Sequence, residues 1–135
     1  YGLVGGRANA VEPGKRPLSS MTPTFVEGPE RTAVLGTPGG SRIITMVLLG
    51  ILEFTAGGDA EAMVERARYH HQYRPDVVEL EPGALSPATR RGLRSRGHIL
   101  EAAGRRYGDM QVVIRHRDSG EATAASDPRG RGAGD

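Results

Sequence analysis

The sequence contains no cysteine. This absence excludes disulfide bonds, thiolate nucleophiles and cysteine-ligated metal sites. Aromatic residues are also scarce, at 4% of the 135 residues, and hydrophobic residues reach only 37%. A chain of this length and composition predicts one domain with a small core. The 20 glycines and 9 prolines predict many turns rather than long regular elements.

Lysine is nearly absent as well, because Lys15 is the single lysine among 18 basic residues. The net charge is only +2, and the one local basic block consists of arginines. Its members are Arg90, Arg91, Arg94, Arg96, Arg105 and Arg106. No aromatic side chains alternate with them to stack on bases. We therefore expect a solvated face or an acidic protein partner here, and no nucleic acid.

The chain also lacks a hydrophobic run long enough to cross a bilayer. Its longest apolar stretch, residues 43–52, is interrupted by Thr45 and Gly50 and predicts a buried helix. No signal peptide opens the chain, and residue 1 is Tyr. We therefore expect the chain to start at a processing site or at the boundary of an expressed piece.

Local patterns place helices and strands in separate groups. Helices are predicted over 41–54, over 59–68, and from Ser86-Pro87 to a stop at Gly97. Strands are predicted in hairpins over 23–36 and 110–125, and singly over 76–81 and 98–102. Because the strands come in hairpins with helices grouped between them, the fold class is α+β, with an antiparallel sheet rather than alternating βαβ units.

A glycine pair precedes the first predicted helix, in the stretch "GTPGGSR" at 36–42. Gly39 and Gly40 can direct two consecutive backbone N–H groups into one small space, and Ser41 can cap the helix. Such a turn could bind an anion or form an oxyanion hole for acyl transfer. The alternative is a tight turn that needs glycine for a positive φ. A phosphate-binding P-loop is excluded, because its lysine and glycine spacing are missing.

Two adjacent hydroxyls follow a proline in "PLSSM". Ser19 and Ser20 can donate to one carboxylate, or they can act only as turn hydroxyls. A serine nucleophile would need a base, and the G-x-S-x-G elbow is absent. The hydroxyl pair therefore predicts either carboxylate binding or a simple turn.

Two other motifs have no specific chemistry of their own. His70 and His71 diverge on a helix or a strand and form a poor metal pair, so we expect packed, hydrogen-bonded roles. The stretch "ASDPR" at 125–129 predicts either a turn fixed by an Asp–Arg pair or part of a site rim. Its local sequence favours neither interpretation.

The order of these motifs is more specific than any one of them. "YGLVGG", "PGKRPLSSM", "LGTPGGSRIIT", "ARYHHQ", "RGH" and "ASDPR" follow one another along the chain. In this order they resemble the C-terminal part of the small subunit of γ-glutamyltranspeptidases. The resemblance covers nearly the whole chain and is weakest over 98–108 and at the last residues.

This resemblance implies part of the αββα sandwich of the N-terminal-nucleophile hydrolases, with 1–127 as a single domain and 128–135 as a flexible tail. It implies that Ser19 and Ser20 bind the α-carboxylate of the γ-glutamyl group and that the amides of Gly39 and Gly40 form the oxyanion hole. The family's nucleophile is the N-terminal Thr of the small subunit, which does not open this chain. We therefore expect the isolated chain to be inactive, and we expect no cofactor and no metal.

The complete protein would then transfer the γ-glutamyl group of glutathione or a related compound to water, amino acids or peptides. The implied partners are the remaining small-subunit segment and the large subunit, and the implied location is periplasmic or extracellular. Half of a sandwich exposes apolar faces, so the isolated chain should self-associate. Two alternatives stay open: a non-catalytic structural or binding module, and a related acylase or capsule-depolymerising transpeptidase.

Overall fold

A computed structural model describes residues 5–130. The helices in this range are α1 (Ile43–Thr55), α2 (Ala60–Glu65) and α3 (Pro87–Arg94). The strands are β1 (Thr24–Glu27), β2 (Arg31–Gly36), β3 (Tyr69–Tyr73), β4 (Asp76–Leu80), β5 (Leu100–Ala102), β6 (Gln111–His116) and β7 (Ala122–Ser126). Short 3-10 turns occupy Arg7–Asn9 and Gly40–Arg42. The strands form two sheets, ordered β1-β2-β6-β7 and β3-β4-β5.

The four-stranded sheet is antiparallel throughout and contains both predicted hairpins. Alternation along β2 and β6 sends one set of side chains to a buried face, which α1 and α2 cover. This set is Ala33, Leu35, Val112 and Ile114. Helix α1 lies close to the sheet, since a Cβ on Gly50 would lie only 2.7 Å from Leu35 Cδ1. The predicted α+β class is confirmed. The predicted burial of the first helix holds for one side only, because Ile44, Leu48 and Leu52 of α1 are 60%, 50% and 42% exposed.

The opposite face of the same sheet is apolar and exposed. Phe25 pairs with Val34, and Val34 pairs with Val113, so the three side chains form a row across β1, β2 and β6. Phe25 is 73% exposed. Arg115 and Arg117 border this row. We call this surface the outer sheet face.

The three-stranded sheet differs from expectation in two respects. Residues 69–73 form a strand, β3, where none is predicted, and it pairs antiparallel with β4. Strand β5 runs parallel to β4, because α3 carries the chain back across the sheet before β5 begins. The second sheet therefore contains one βαβ crossover beside its hairpin.

Helix α2 is shorter than predicted and ends at Glu65. Asp59 caps its start, accepting the Ala62 N–H at 2.8 Å. Arg66 lies at the C-terminal cap and pairs with Glu53. Arg68 leaves the helix for a buried ion-pair network, so its predicted place in the last helical turn is wrong.

Helix α3 begins where predicted and ends at Arg94, three residues before the predicted stop at Gly97. The Ser86 hydroxyl accepts the Thr89 N–H at 3.1 Å, and Pro87 occupies the first position. Gly97, with φ of 89°, ends the turn that follows. In the part of the chain that the structure describes, no helix combines the length and apolar character needed to cross a membrane.

The predicted tail begins inside the folded part of the molecule. Arg129 has a side chain only 8% exposed and pairs with both Glu81 and Asp127. Residues 131–135 of the predicted tail lie outside the described residues. Arg129 therefore belongs to the folded part of the molecule and not to a flexible tail.

Candidate active site

The glycine pair forms the turn between β2 and α1. Gly39 has φ of 152° and Gly40 has φ of 60°, which are conformations that favour glycine. A Cβ on Gly39 would also lie 2.5 Å from Met46 Cε. The predicted positive φ is therefore confirmed. Ser41 does not cap α1, contrary to expectation, because its hydroxyl donates to Gln72 Oε1 at 2.9 Å.

The serine loop and the glycine loop meet. Ser20 Oγ donates to the carbonyl oxygen of Gly40 at 2.5 Å, which joins positions 20 residues apart. Ser19 is exposed, and its hydroxyl accepts the Met21 N–H at 3.1 Å. Within residues 5–130, no protein acceptor is found for the N–H groups of Gly39 and Gly40. The fold thus leaves both amides available to a ligand close to the serine pair.

The two glycines open onto a cleft of about 550 Å³, which we call the glycine cleft. Its lining residues are Pro38, Gly39, Gly40 and Arg42 from the glycine loop, and Arg105, Arg106, Tyr107 and Gly108 from the segment before β6. Arg42 is paired with Glu79 at 2.5 Å. The arginines and the unbonded amides give the cleft an excess of positive charge and hydrogen-bond donors. Such a cleft suits an anionic ligand or a developing oxyanion.

Tyr107 forms part of the cleft wall. The Arg42 guanidinium lies over its ring, 5.0 Å from the centroid. Its hydroxyl is buried and has no hydrogen-bond partner among residues 5–130. Burial, with a smaller contribution from the nearby negative charge of Glu81, raises the pKa of Tyr107 to about 12. The phenol therefore stays neutral at physiological pH.

A buried charge network supports this wall from behind. Arg68 pairs with Asp127, and Arg129 binds Glu81 through Nε at 2.9 Å and Nη2 at 2.7 Å. Arg68 also donates to the carbonyl oxygen of Tyr107. Asp127 bonds to Arg129 at 3.1 Å, so the turn fixed by an Asp–Arg pair is present in "ASDPR". The network joins the chain segments around α2, β4 and β7 to the cleft wall.

The charges of this network are held in place by hydrogen bonds. Burial alone would raise the pKa of Asp127, but N–H donors from Met110 and Arg129 and the Arg68 guanidinium lower it overall. Burial likewise opposes the charged form of Arg129, and the Glu81 carboxylate raises its pKa above the usual value. Both groups therefore remain ionised in the interior.

The histidine pair separates as its spacing predicts. His70 is buried, with Nδ1 2.9 Å from Thr45 Oγ1 and Nε2 2.9 Å from Gln72 Oε1. His71 points the other way and bonds to Asp76 at 2.8 Å. The predicted packed, hydrogen-bonded role is confirmed for His70. Across residues 5–130, no cluster of three or more potential ligands could hold a metal ion.

Sequence reasoning identified the glycine and serine loops. It missed the other residues that line the glycine cleft and the buried charge network behind Tyr107. Arg105, Arg106 and Tyr107 lie in the region where the resemblance is weakest. The basic block predicts a charged surface at Arg105 and Arg106 but does not connect them with the glycine pair, and no local pattern marks Tyr107. No local sign in the sequence indicates that Arg68 is buried, because it lies at the end of a predicted helix and charged residues are almost never fully buried unless they are paired.

Fold and site together define a class of protein. A two-helix layer on an antiparallel sheet, with paired glycine amides where the second strand enters the first helix, is the arrangement of an N-terminal-nucleophile hydrolase. The γ-glutamyltranspeptidase of Helicobacter pylori, solved as its T380A mutant, superposes with a TM-score of 0.83 at 35% identity. The match covers 95% of this chain and 70% of that one.

The family assignment is equally direct. The family model described as gamma-glutamyltranspeptidase matches residues 1–135. The glutathione hydrolase proenzyme of Escherichia coli K12 is 47% identical over 96% of the chain, and that of Pseudomonas aeruginosa is 43% identical over 99%. The chain belongs to the γ-glutamyltranspeptidase family. It spans 22% and 24% of the lengths of these two curated relatives, so it corresponds to a fragment of such a protein.

Proposed function

We propose that this chain is the C-terminal part of the small subunit of a γ-glutamyltranspeptidase and that it supplies two elements of the active site. Gly39 and Gly40 provide the oxyanion hole, and Ser19 and Ser20 bind the α-carboxylate of the γ-glutamyl group. The observation that supports the proposal is the Ser20–Gly40 hydrogen bond, which joins the serine loop to a residue that lines the glycine cleft. Ser20 has a single O–H, so it would release the Gly40 carbonyl in order to donate to the α-carboxylate of a bound substrate. Family membership supplies the reaction.

The chemistry divides between this chain and the rest of the protein. The hydroxyl oxygen of a threonine from the preceding segment adds to the γ-carbonyl carbon of the substrate. The hydroxyl proton passes to the α-amine of the same threonine. The carbonyl oxygen becomes an oxyanion that accepts the two glycine N–H groups. The carbon–nitrogen bond then breaks, and the leaving amine takes a proton. Water or an acceptor amine adds to the resulting ester, and the γ-glutamyl product leaves as the threonine hydroxyl is restored.

The two loops act at different stages of this reaction. Contacts with the α-carboxylate are the same in the ground state and the transition state, so they contribute to substrate binding. The amide pair binds charge that develops only during the reaction, and one such donor contributes about 3 kcal/mol in a characterised hydrolase. The serine pair should therefore affect KM and the glycine pair should affect kcat.

Partners and location follow from the same assignment. We propose that the remaining small-subunit segment and the large subunit belong to one precursor with this chain and that a second sheet covers the outer sheet face. Without that cover, the row of Phe25, Val34 and Val113 would drive self-association of the isolated chain. We propose a periplasmic or extracellular location and glutathione or a related γ-glutamyl compound as the substrate.

Steady-state kinetics on the full-length protein test the assignment of the serines. With a γ-glutamyl anilide, Ser19→Ala should raise KM about tenfold, as expected for one lost charge-assisted hydrogen bond, and leave kcat within about twofold. Ser20→Ala should also raise KM, because the single O–H that Ser20 donates to Gly40 in this structure would be donated to the carboxylate when the substrate binds. Ser95→Ala, on the exposed turn after α3, is the control. An unchanged KM in Ser19→Ala would contradict the assignment.

The 135-residue chain by itself provides a second test. It should show no turnover of the anilide, because the proposed reaction takes its nucleophilic threonine from another segment of the precursor. Turnover by the isolated chain would contradict the proposal that the nucleophile comes from another segment of the precursor.

A further inference from the structure

We propose that Arg105 and Arg106 form a carboxylate-binding subsite for the amine side of the reaction. The inference rests on the proposed function and extends it to the leaving amine and the acceptor amine. Both occupy one position, because the acceptor enters along the path by which the leaving amine departs. The subsite would favour amines that carry a free carboxylate, such as peptides with a free C-terminus.

The position of the two arginines is the first argument. They line the same cleft as Gly39 and Gly40, and the serine pair is not among the lining residues. A γ-glutamyl amide with its carbonyl oxygen at the glycine pair and its α-carboxylate at the serines extends its amine portion along the remaining cleft. That portion therefore approaches Arg105 and Arg106.

The charge of the two arginines also favours a carboxylate ligand. Arg42, the third arginine of the cleft, is already neutralised by Glu79 at 2.5 Å. For Arg105 and Arg106, no ion pair with a carboxylate occurs within residues 5–130. Arginine binds carboxylates through two parallel N–H donors, so adjacent guanidinium groups are well suited to this ligand.

The segment that carries Arg105 and Arg106 is held at both ends by hydrogen bonds. The Ala103 N–H donates to the Leu80 carbonyl at 2.9 Å, and the Asp109 N–H donates to Thr37 Oγ1 at 3.1 Å. Arg68 holds the Tyr107 carbonyl between these two anchors. The arginines therefore project from a short segment that is fixed at both ends, which limits the entropy lost when they bind.

The test compares matched acceptors and donors on the full-length protein. Glycylglycine is compared with glycylglycine amide as the acceptor, and glutathione with its glycine ethyl ester as the donor. In each pair only the terminal carboxylate differs. The variants are Arg105→Gln/Arg106→Gln, Arg105→Lys/Arg106→Lys, and Arg91→Gln on exposed α3 as the control.

The glutamine variant should raise KM for glycylglycine and glutathione about tenfold, and change the amide and the ester by less than about twofold. The lysine variant should restore part of the preference, and high salt should weaken it in the wild type. A γ-glutamyl anilide has no carboxylate on its amine side, so the glutamine variant should change its KM no more than it changes that of the amide and the ester.

Four results would overturn the proposal. Equal losses on the acid and its neutral partner would show that the arginines do not recognise the carboxylate. A loss on the anilide as well would place the glutamyl α-carboxylate at these arginines instead. If the wild-type protein turns over both members of each pair equally well, the subsite is refuted but the proposed function stands. If it turns over no γ-glutamyl donor at all, both the proposed function and the subsite are refuted.

Discussion

Replacing Asp127 with Asn should destabilise the protein strongly, because the substitution breaks the buried charge network at its centre. The Asp127 side chain is 0% exposed and its partner Arg68 is 2% exposed. Besides Arg68, the carboxylate accepts the Met110 N–H at 3.0 Å and the Arg129 N–H at 2.9 Å. Asn keeps the volume but removes the negative charge and places an NH₂ group among these donors.

The expected cost follows from what remains after the change. Arg68 keeps its charge, and the other nearby carboxylate, Glu81, is already bonded to the Arg129 guanidinium and to the Arg68 N–H. Removing one partner of a buried pair costs about 3–5 kcal/mol. A domain has about 5–15 kcal/mol of total stability, so Asp127→Asn should remove a large part of it.

Urea unfolding of the full-length protein measures this cost. Asp76→Asn is the matched control, since Asp76 is 81% exposed and should change the free energy of unfolding by less than about 0.5 kcal/mol. In a double-mutant cycle, Arg68→Met combined with Asp127→Asn should cost less than the sum of the single changes. A cost for Asp127→Asn below about 1 kcal/mol, or strict additivity, would refute the reasoning.

Three further outcomes are expected. Gly50→Ala should destabilise by about 1 kcal/mol in urea unfolding, because overpacking against Leu35 outweighs the gain in helix propensity; an increase in stability would contradict this. Asp59→Ala should cost about 1 kcal/mol through loss of the cap on Ala62, whereas Asp59→Asn should retain most of it. The pKa of Asp127 is lower in the folded protein than in the unfolded chain, where it is about 3.9. The ionised carboxylate therefore stabilises the folded protein fully above the unfolded pKa, and this stabilisation is lost as the pH falls through the folded pKa. Asp127→Asn should therefore lose less stability than the wild type between about pH 6 and about pH 2, as measured by thermal unfolding.

The sequence was most informative where local rules decide the structure. The hairpins over 24–36 and 111–126 were predictable from apolar alternation and turn residues, and α3 was predictable from Ser86-Pro87. Strand β3 was not, because "YHHQY" has no apolar alternation and depends on contacts such as that of His70 with Thr45. Tertiary contacts outweighed local propensity there.

The candidate site divides in the same way. Positive φ at the glycine pair could be predicted, because the requirement is local. The Ser20–Gly40 bond depends on how two loops meet, and no pattern in either loop encodes it. The ion pair of Arg68 with Asp127 joins positions 59 residues apart, so only the completed fold brings them together.

The buried carboxylate has a consequence for the alignment of the last strand. The five residues of β7, "ATAAS", are small and similar, so sliding them along β6 would cost little in side-chain packing. Asp127 follows β7 directly, and each residue of slippage would carry it about 3.4 Å from the guanidinium and amide donors. The charge of Asp127 therefore fixes the register of β7 against β6, because side-chain packing alone would allow several registers. In other strands, the packing of larger side chains fixes the register.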